Sequence, residues 1–276
     1  MSTYGKSSSG QVLLITLLVL SVAVTIALSL IGRGTQDANM SASLEESARA
    51  FNAAEAGIED ALKSGLGTTT VQVLSPGLTY SVNVSMVAGA ASVYQLPKKT
   101  VRGTTETVWL TNHNADGTLN ESPAYLGTTI GICWSSEAVT PALEVTVLYK
   151  RGASYLVGKS ALDPDLSRFG TNKFTGLGIS TPGCGIASYY TSTVDFSTLG
   201  ILGTDTLLAL RLTPRYSDAR FAIDPGNFIL PKQGNQVEST GTTATGISRK
   251  IIVYQQYKAP SSIFDSSIYS QSSFGH

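Results

Sequence analysis

The sequence predicts an α+β protein: a long N-terminal hydrophobic and amphipathic helix packed on a C-terminal antiparallel β domain, either a sandwich or a Greek-key sheet. Three observations carry this expectation. Residues Val12 to Ile31 contain no charge, proline or glycine. From Arg33 to Ser64 there is no proline, and apolar residues return at helical spacing. Beyond Thr68 the texture changes to short β-branched runs separated by Gly, Pro, Asn and Asp.

The first element is the apolar run itself. It holds about twenty residues, the length a helix needs to cross about 30 Å of hydrocarbon. Val12, Leu13, Leu14, Leu17, Leu18 and Leu20 are its leading apolar members. Thr16, Ser21, Thr25 and Ser29 recur every four or five residues. They serve either as small residues at a close helix contact or as hydroxyls bonded back to carbonyls one turn earlier. A ten-residue polar leader, MSTYGKSSSG, precedes the run and ends on Gly10. A secretory signal has a shorter apolar region followed by a small-residue cleavage site, so the helix is expected to be retained.

The helix is expected to continue to Lys63. Leu44, Ala48, Phe51, Ile58 and Leu62 mark one face, with Glu55 as a carboxylate within it. This face is the predicted docking surface, and Phe51 its anchor. Glu45 with Arg49 and Glu59 with Lys63 sit at favourable i,i+4 spacing. Gly32 and Gly34 weaken the junction and allow a bend there.

The remaining elements are strands. The alternation is cleanest in Leu143 to Tyr149, followed by a turn and Tyr155 to Val157, which predicts a hairpin with one buried face. Leu207 to Leu212 with Arg220 to Ile223 reads as a second hairpin. The organisation is thus a leader over 1–10, a helix over 11–64 with 12–31 as the apolar span, a β domain over 65–260 and a Ser-rich tail over 261–276. Ile263-Phe264, Ile268-Tyr269 and Phe274 punctuate the tail, which is either frayed or docked through these residues.

Function classes narrow with composition. The chain has 276 residues, 42% hydrophobic and 14% charged, with 19 basic and 19 acidic side chains. A charged fraction well under the usual value of about 25% suits an extracellular β-rich surface. Zero net charge gives no basis for a nucleic-acid partner. Two histidines and two cysteines leave little for metal or nucleophilic chemistry, so neither an enzyme nor a cofactor is expected. Cys133 and Cys184 are either bridged, in an exported domain, or two separate buried thiols. Asn112, Asn114 and Asp116, followed by Gly117, match the opening of a calcium loop, but Pro123 stands where the bidentate glutamate belongs. A turn rich in Asn, Asp and Gly explains the same letters without metal. Tyr189, Tyr190 and Trp109 are candidates for a binding face or for inward packing.

The polar leader with Lys6, the boundary glycine, the apolar span and the closing segment Ala50-Phe51-Asn52-Ala53-Ala54-Glu55-Ala56 together resemble the N-terminal region of type IV pilin-like proteins, specifically PilX-type minor pilins. The likeness covers about residues 5 to 63. It implies cleavage by a prepilin peptidase between Gly10 and Gln11, with methylation of the new N-terminus. It also implies a single-pass subunit of the cytoplasmic membrane that later packs with other pilin subunits in a surface filament through the assembly machinery. Gln11 and Ile15 depart from the phenylalanine and glutamate of typical shaft subunits, which favours the minor, tip-located members. An adhesin or carbohydrate-binding β domain on a permanent anchor is the alternative expectation.

Overall fold

An uninterrupted helix, α1, runs over Ser9–Ser64, 56 residues, in the computed structural model. Its length is about 84 Å at 1.5 Å per residue. The structure describes residues 9–68, 70–114, 116–177, 184–186 and 189–261; the tail's apolar pairs therefore lie outside the described residues. No proline interrupts α1, and it passes through Gly32 and Gly34, where an added Cβ would meet no other part of the molecule within 4 Å. It stops at Gly65, whose φ of 72° is left-handed and whose N–H donates to Ala61 O at 2.8 Å.

Strands follow in the order β1 (Gln72–Ser75), β2 (Leu78–Ala88), β3 (Tyr94–Gln95), β4 (Glu106–Trp109), β5 (Thr111–His113), β6 (Leu119–Ala124), β7 (Thr129–Ser135), β8 (Ala142–Arg151) and β9 (Ser154–Asp163). A short helix α2 (Phe169–Asn172) comes next. It is followed by β10 (Thr175–Gly176), β11 (Tyr189–Asp195), β12 (Thr206–Arg215), β13 (Phe221–Asp224), β14 (Lys232–Thr243) and β15 (Ser248–Gln256). The sheets are ordered β1-β2-β14-β15, β10-β9-β8-β12-β4, β11-β7-β13-β3 and β5-β6. All pairings with a given register are antiparallel except β10 with β9, so the fold class is α+β with antiparallel and mixed sheets.

The chain divides into two compact units, Met1–Val84 with Val237–Val253, and Ser85–Gln236 with Tyr254–His276. The first holds α1 and the strands it packs on. The second has one core fed by two sheets. Leu143, Val145 and Val147 of β8 and Leu210 and Leu212 of β12 join Ile130, Ile132 and Trp134 of β7 and Phe221 of β13. Every second residue of β8 enters this core, as the alternation predicts. The indole N–H of the fully buried Trp134 donates to Pro141 O at 2.9 Å.

The β8–β9 hairpin forms as expected, closing through Gly152, whose φ is 58°. The second expected hairpin does not form. β12 is flanked by β8 and β4, whereas β13 pairs with β7 and β3 in another sheet. With both edges of β12 occupied, Phe221 to Ile223 complete the opposite sheet instead. β14 has no clear counterpart among the sequence expectations, because its polar, glycine-bearing run KQGNQVESTGTT lacks the apolar alternation that marks a strand.

Candidate functional site

The feature with functional character is α1, whose two halves meet different surroundings. The large apolar side chains from Val12 to Ile31 are between 48% and 70% exposed. Such a continuous apolar surface has no counterpart on ordinary soluble domains. The helix is long and apolar enough to cross a membrane. Thr16, Ser21 and Thr25 donate their hydroxyls to the carbonyls of Leu13, Leu18 and Val22 at 2.8 to 2.9 Å. Three polar groups are thereby satisfied within the helix and would carry no stranded donor into hydrocarbon. The backbone of Gly10 and Gln11 lies in the first turn of α1.

The second half docks, but not by the face expected from its large residues. Leu44, Phe51 and Leu62 are 66%, 45% and 44% exposed, and Ala48 and Glu55 are also exposed. Of the predicted stripe only Ile58 is buried. The face against the sheet is instead Ala50, Ala53, Ala54, Gly57, Ile58 and Ala61. The reason is steric. Small residues let the backbone of α1 come close to β2 and β14, which a stripe of Phe and Leu would prevent. A Cβ on Gly57 would meet Ser239 Oγ of β14, with Tyr80 Cδ2 and Val82 Cγ2 of β2 at 2.8 and 2.9 Å. A Cβ on Gly241 would meet Ala50 O, with Ala54 N at 2.6 Å and Ala53 Cβ at 2.9 Å. Ile58 and Ala61 join Val82 and Val237 in a small core flanked by Tyr80, Ile251 and Val253.

Polar contacts rim this interface. Thr245 Oγ1 donates to Glu46 Oε2 at 2.9 Å, Arg249 Nε to Ser47 Oγ at 2.7 Å and Tyr80 OH to Asp60 Oδ2 at 3.3 Å. Arg49 pairs with Glu46 at 2.8 Å rather than with the expected Glu45. The hydroxyls of Thr243 and Thr245, helped by Arg49, hold the Glu46 carboxyl below its ordinary value.

Cys133 and Cys184 form a disulfide with Cα atoms 6.3 Å apart. It ties β7 to the segment before β11. The Asn-rich loop is the β5–β6 hairpin. Asp116 accepts from the Thr118 N–H and hydroxyl at 2.9 and 2.6 Å, which lowers its pKa. Asn114 Nδ2 donates to Thr118 Oγ1, and Asn112 Nδ2 to Pro123 O. Glu121 is engaged by Lys150 Nζ at 2.6 Å. These side chains serve the turn and its neighbours. Among the described residues no group of three or more His, Cys, Asp or Glu is placed to hold a metal ion. Trp109 is buried, edge-on to His113 at 4.7 Å, and Tyr190 is half-buried beside Trp134 at 5.9 Å. Tyr190 thus packs against the core, whereas Trp109, alternating with the core residue Val108, is buried on the other face of its sheet beside His113; the Tyr189 side chain lies outside the described ones.

The docking residues that sequence reasoning passed over, Ala50, Ala53, Ala54 and Ala61 with Gly57, carry a legible signal. They recur in steps of three and four, but alanine scores weakly beside leucine and phenylalanine. No protein-family model, curated protein or solved structure matches the chain.

Proposed function

We propose that the chain is a structural subunit of a type IV pilus or related filament, a minor pilin-like protein of the PilX type. The observation that carries this reading is the division of α1. Its N-terminal half exposes its large apolar side chains, while its C-terminal half is committed to its own sheet through small residues. A helix so divided leaves one half for an apolar environment supplied from outside. Before assembly that environment is the cytoplasmic membrane. In a filament it is the equivalent helices of other pilin subunits. Lipid and a packed helix core are about equally apolar, so little hydrophobic free energy opposes the transfer, and packing decides it. Cleavage by the prepilin peptidase after Gly10 makes Gln11 the mature N-terminus, and the assembly machinery is the further partner. The role is packing rather than catalysis.

A second reading, an extracellular binding or adhesion module on a permanent membrane anchor, is favoured by one observation. The second unit carries a cavity of about 400 Å³, lined by residues including Tyr125, Leu126, Phe196, Ile201 and Leu202. That volume suits a small ligand. Intact mass and N-terminal sequencing of protein from sheared filaments and from membranes separate the two readings. Chains beginning at Gln11 in both fractions support the filament subunit. Chains beginning at Met1 and confined to membranes overturn it in favour of the fixed anchor.

A further inference from the structure

The cavity of the second unit lies between two stretches of chain, residues 121–128 and 196–207, and both are pinned. The Tyr125 hydroxyl lies 2.9 Å from the carbonyl oxygens of both Thr129 and Pro225 and donates between them. The Phe196 N–H donates to Thr128 O and the Ile201 N–H to Phe196 O, each at 3.1 Å. The rings of Tyr125 and Phe196 meet edge to face, 6.4 Å between centres. Tyr125, Phe196, Ile201 and Leu207 are all buried. The walls are therefore preformed by the fold itself.

Charge on the lining is already spent within the chain. Lys150 Nζ meets Glu121 at 2.6 Å, and Arg151 Nη2 meets Asp205 at 2.6 Å. The Asp205 carboxylate also accepts from the Leu202 N–H at 2.8 Å. No Lys, Arg or His stands among the described lining residues. A cationic ligand would have to displace one of these partners, and an anionic one would meet two carboxylates; either would give up its hydration without a matching group. Apolar surface, in contrast, is on offer. Leu126 and Leu202 line the cavity yet are 78% and 56% exposed, so large apolar side chains stand at its opening. A ligand seated there would remove them from water. An apolar cavity of about 150 Å³ accepts one benzene ring, so about 400 Å³ has room for about two to three. Planar rings also extend the edge-to-face pattern of Tyr125 and Phe196. We propose that this cavity binds an uncharged, largely apolar aromatic molecule of about two fused rings. The proposal rests on the second reading for its use of the cavity, but not on the permanent anchor, since the site is the same in a chain beginning at Met1 or at Gln11.

The test reads the site in the full chain in nanodiscs. Cys133 and Cys184 are bridged, so Ser122→Cys, at an exposed position on the lining, supplies a single free thiol. Its alkylation by iodoacetamide is timed alone and with millimolar indole, with indole-3-acetate and tryptamine as charged analogues of the same rings, and with methyl glucoside as an uncharged polar probe. Indole is expected to slow alkylation about fivefold or more, and the other three less than about twofold. Ser154→Cys, on the β8–β9 turn, is alkylated away from the cavity and is expected to be indifferent to indole. Gly203→Trp, added to Ser122→Cys, fills the cavity from a position where an added Cβ meets nothing within 4 Å, and is expected to abolish the effect of indole. Unchanged denaturant unfolding verifies that the variants fold. Slowing that survives Gly203→Trp, or that is equal at Ser154→Cys, places binding elsewhere and overturns the proposal. Equal slowing by the charged analogues overturns it as well. Slowing by methyl glucoside and not by indole overturns the ligand class while the binding module stands. No slowing by any of the four overturns the site altogether, whereas the anchor is decided separately by N-terminal sequencing.

Discussion

The ring of Phe51 is 45% exposed, whereas Gly241 lies against the backbone of α1, and these two positions make opposite predictions about the first unit. Phe51→Ala is expected to change unfolding free energy by less than about 0.5 kcal/mol, the range of surface substitutions. Gly241→Val, which forces atoms into Ala50 O and Ala54 N, is expected to cost about 1 to 3 kcal/mol or more. Denaturant unfolding in mild detergent measures both. A cost of about 3 to 5 kcal/mol at Phe51 would instead mark it as a buried anchor. Glu46 gives a prediction in pH. Its carboxyl is held below the ordinary 4.5 by the hydroxyls of Thr243 and Thr245, with Arg49 contributing less. A depressed carboxylate stabilises the fold at pH above its unfolded value, and that stabilisation is lost as pH falls through its folded value. Unfolding measured from about pH 6 down to about pH 3 is therefore expected to fall more steeply below about 4.5 in the parent than in Glu46→Gln. Equal slopes would mean that the threonine contacts do not persist in solution.

Strands and helices differ in how much of their packing is local. β8 announces itself because its partners demand strict alternation, with Leu143, Val145 and Val147 inward and Glu144 and Lys150 outward. β14 does not, because Gly241 and Ser239 are chosen for the nearness of α1 rather than for burial of bulk. A strand that receives a helix at close range is selected for smallness, and smallness looks like a loop when read locally. The Cys133–Cys184 bridge is a constraint of the same nonlocal kind, joining positions 51 apart in sequence. Closing a loop of this length is worth about 3 to 4 kcal/mol in the chain-entropy account. The Cys133→Ser, Cys184→Ser double variant is expected to lose about that much in denaturant unfolding without changing the α1 interface. A loss under about 1 kcal/mol would show that the unbridged chain is already restricted there.

For the whole molecule the dominant physical fact is an apolar half-helix that, among the described residues, packs against nothing else in the chain. Full-length protein is expected to stay monodisperse only with detergent or lipid. A chain lacking residues 1–34 is expected to be monodisperse without either, because it removes the exposed apolar run and keeps the docked half of α1. Size-exclusion chromatography with and without detergent decides this; detergent dependence in the truncated chain would locate a second apolar surface elsewhere. The sequence by itself determined that a long helix precedes a β-rich region, that its first half suits hydrocarbon and that β8 and β9 form a hairpin. Each of these depends on the length and period of neighbouring residues, which are properties of short stretches of chain. Only the tertiary structure decided that α1 docks by its alanines and Gly57 and not by Phe51, that β12 and β13 enter different sheets, and that β14 receives the helix. Those outcomes depend on how closely surfaces far apart in sequence can approach, and the space left between two backbones is not written in the periodicity of either one.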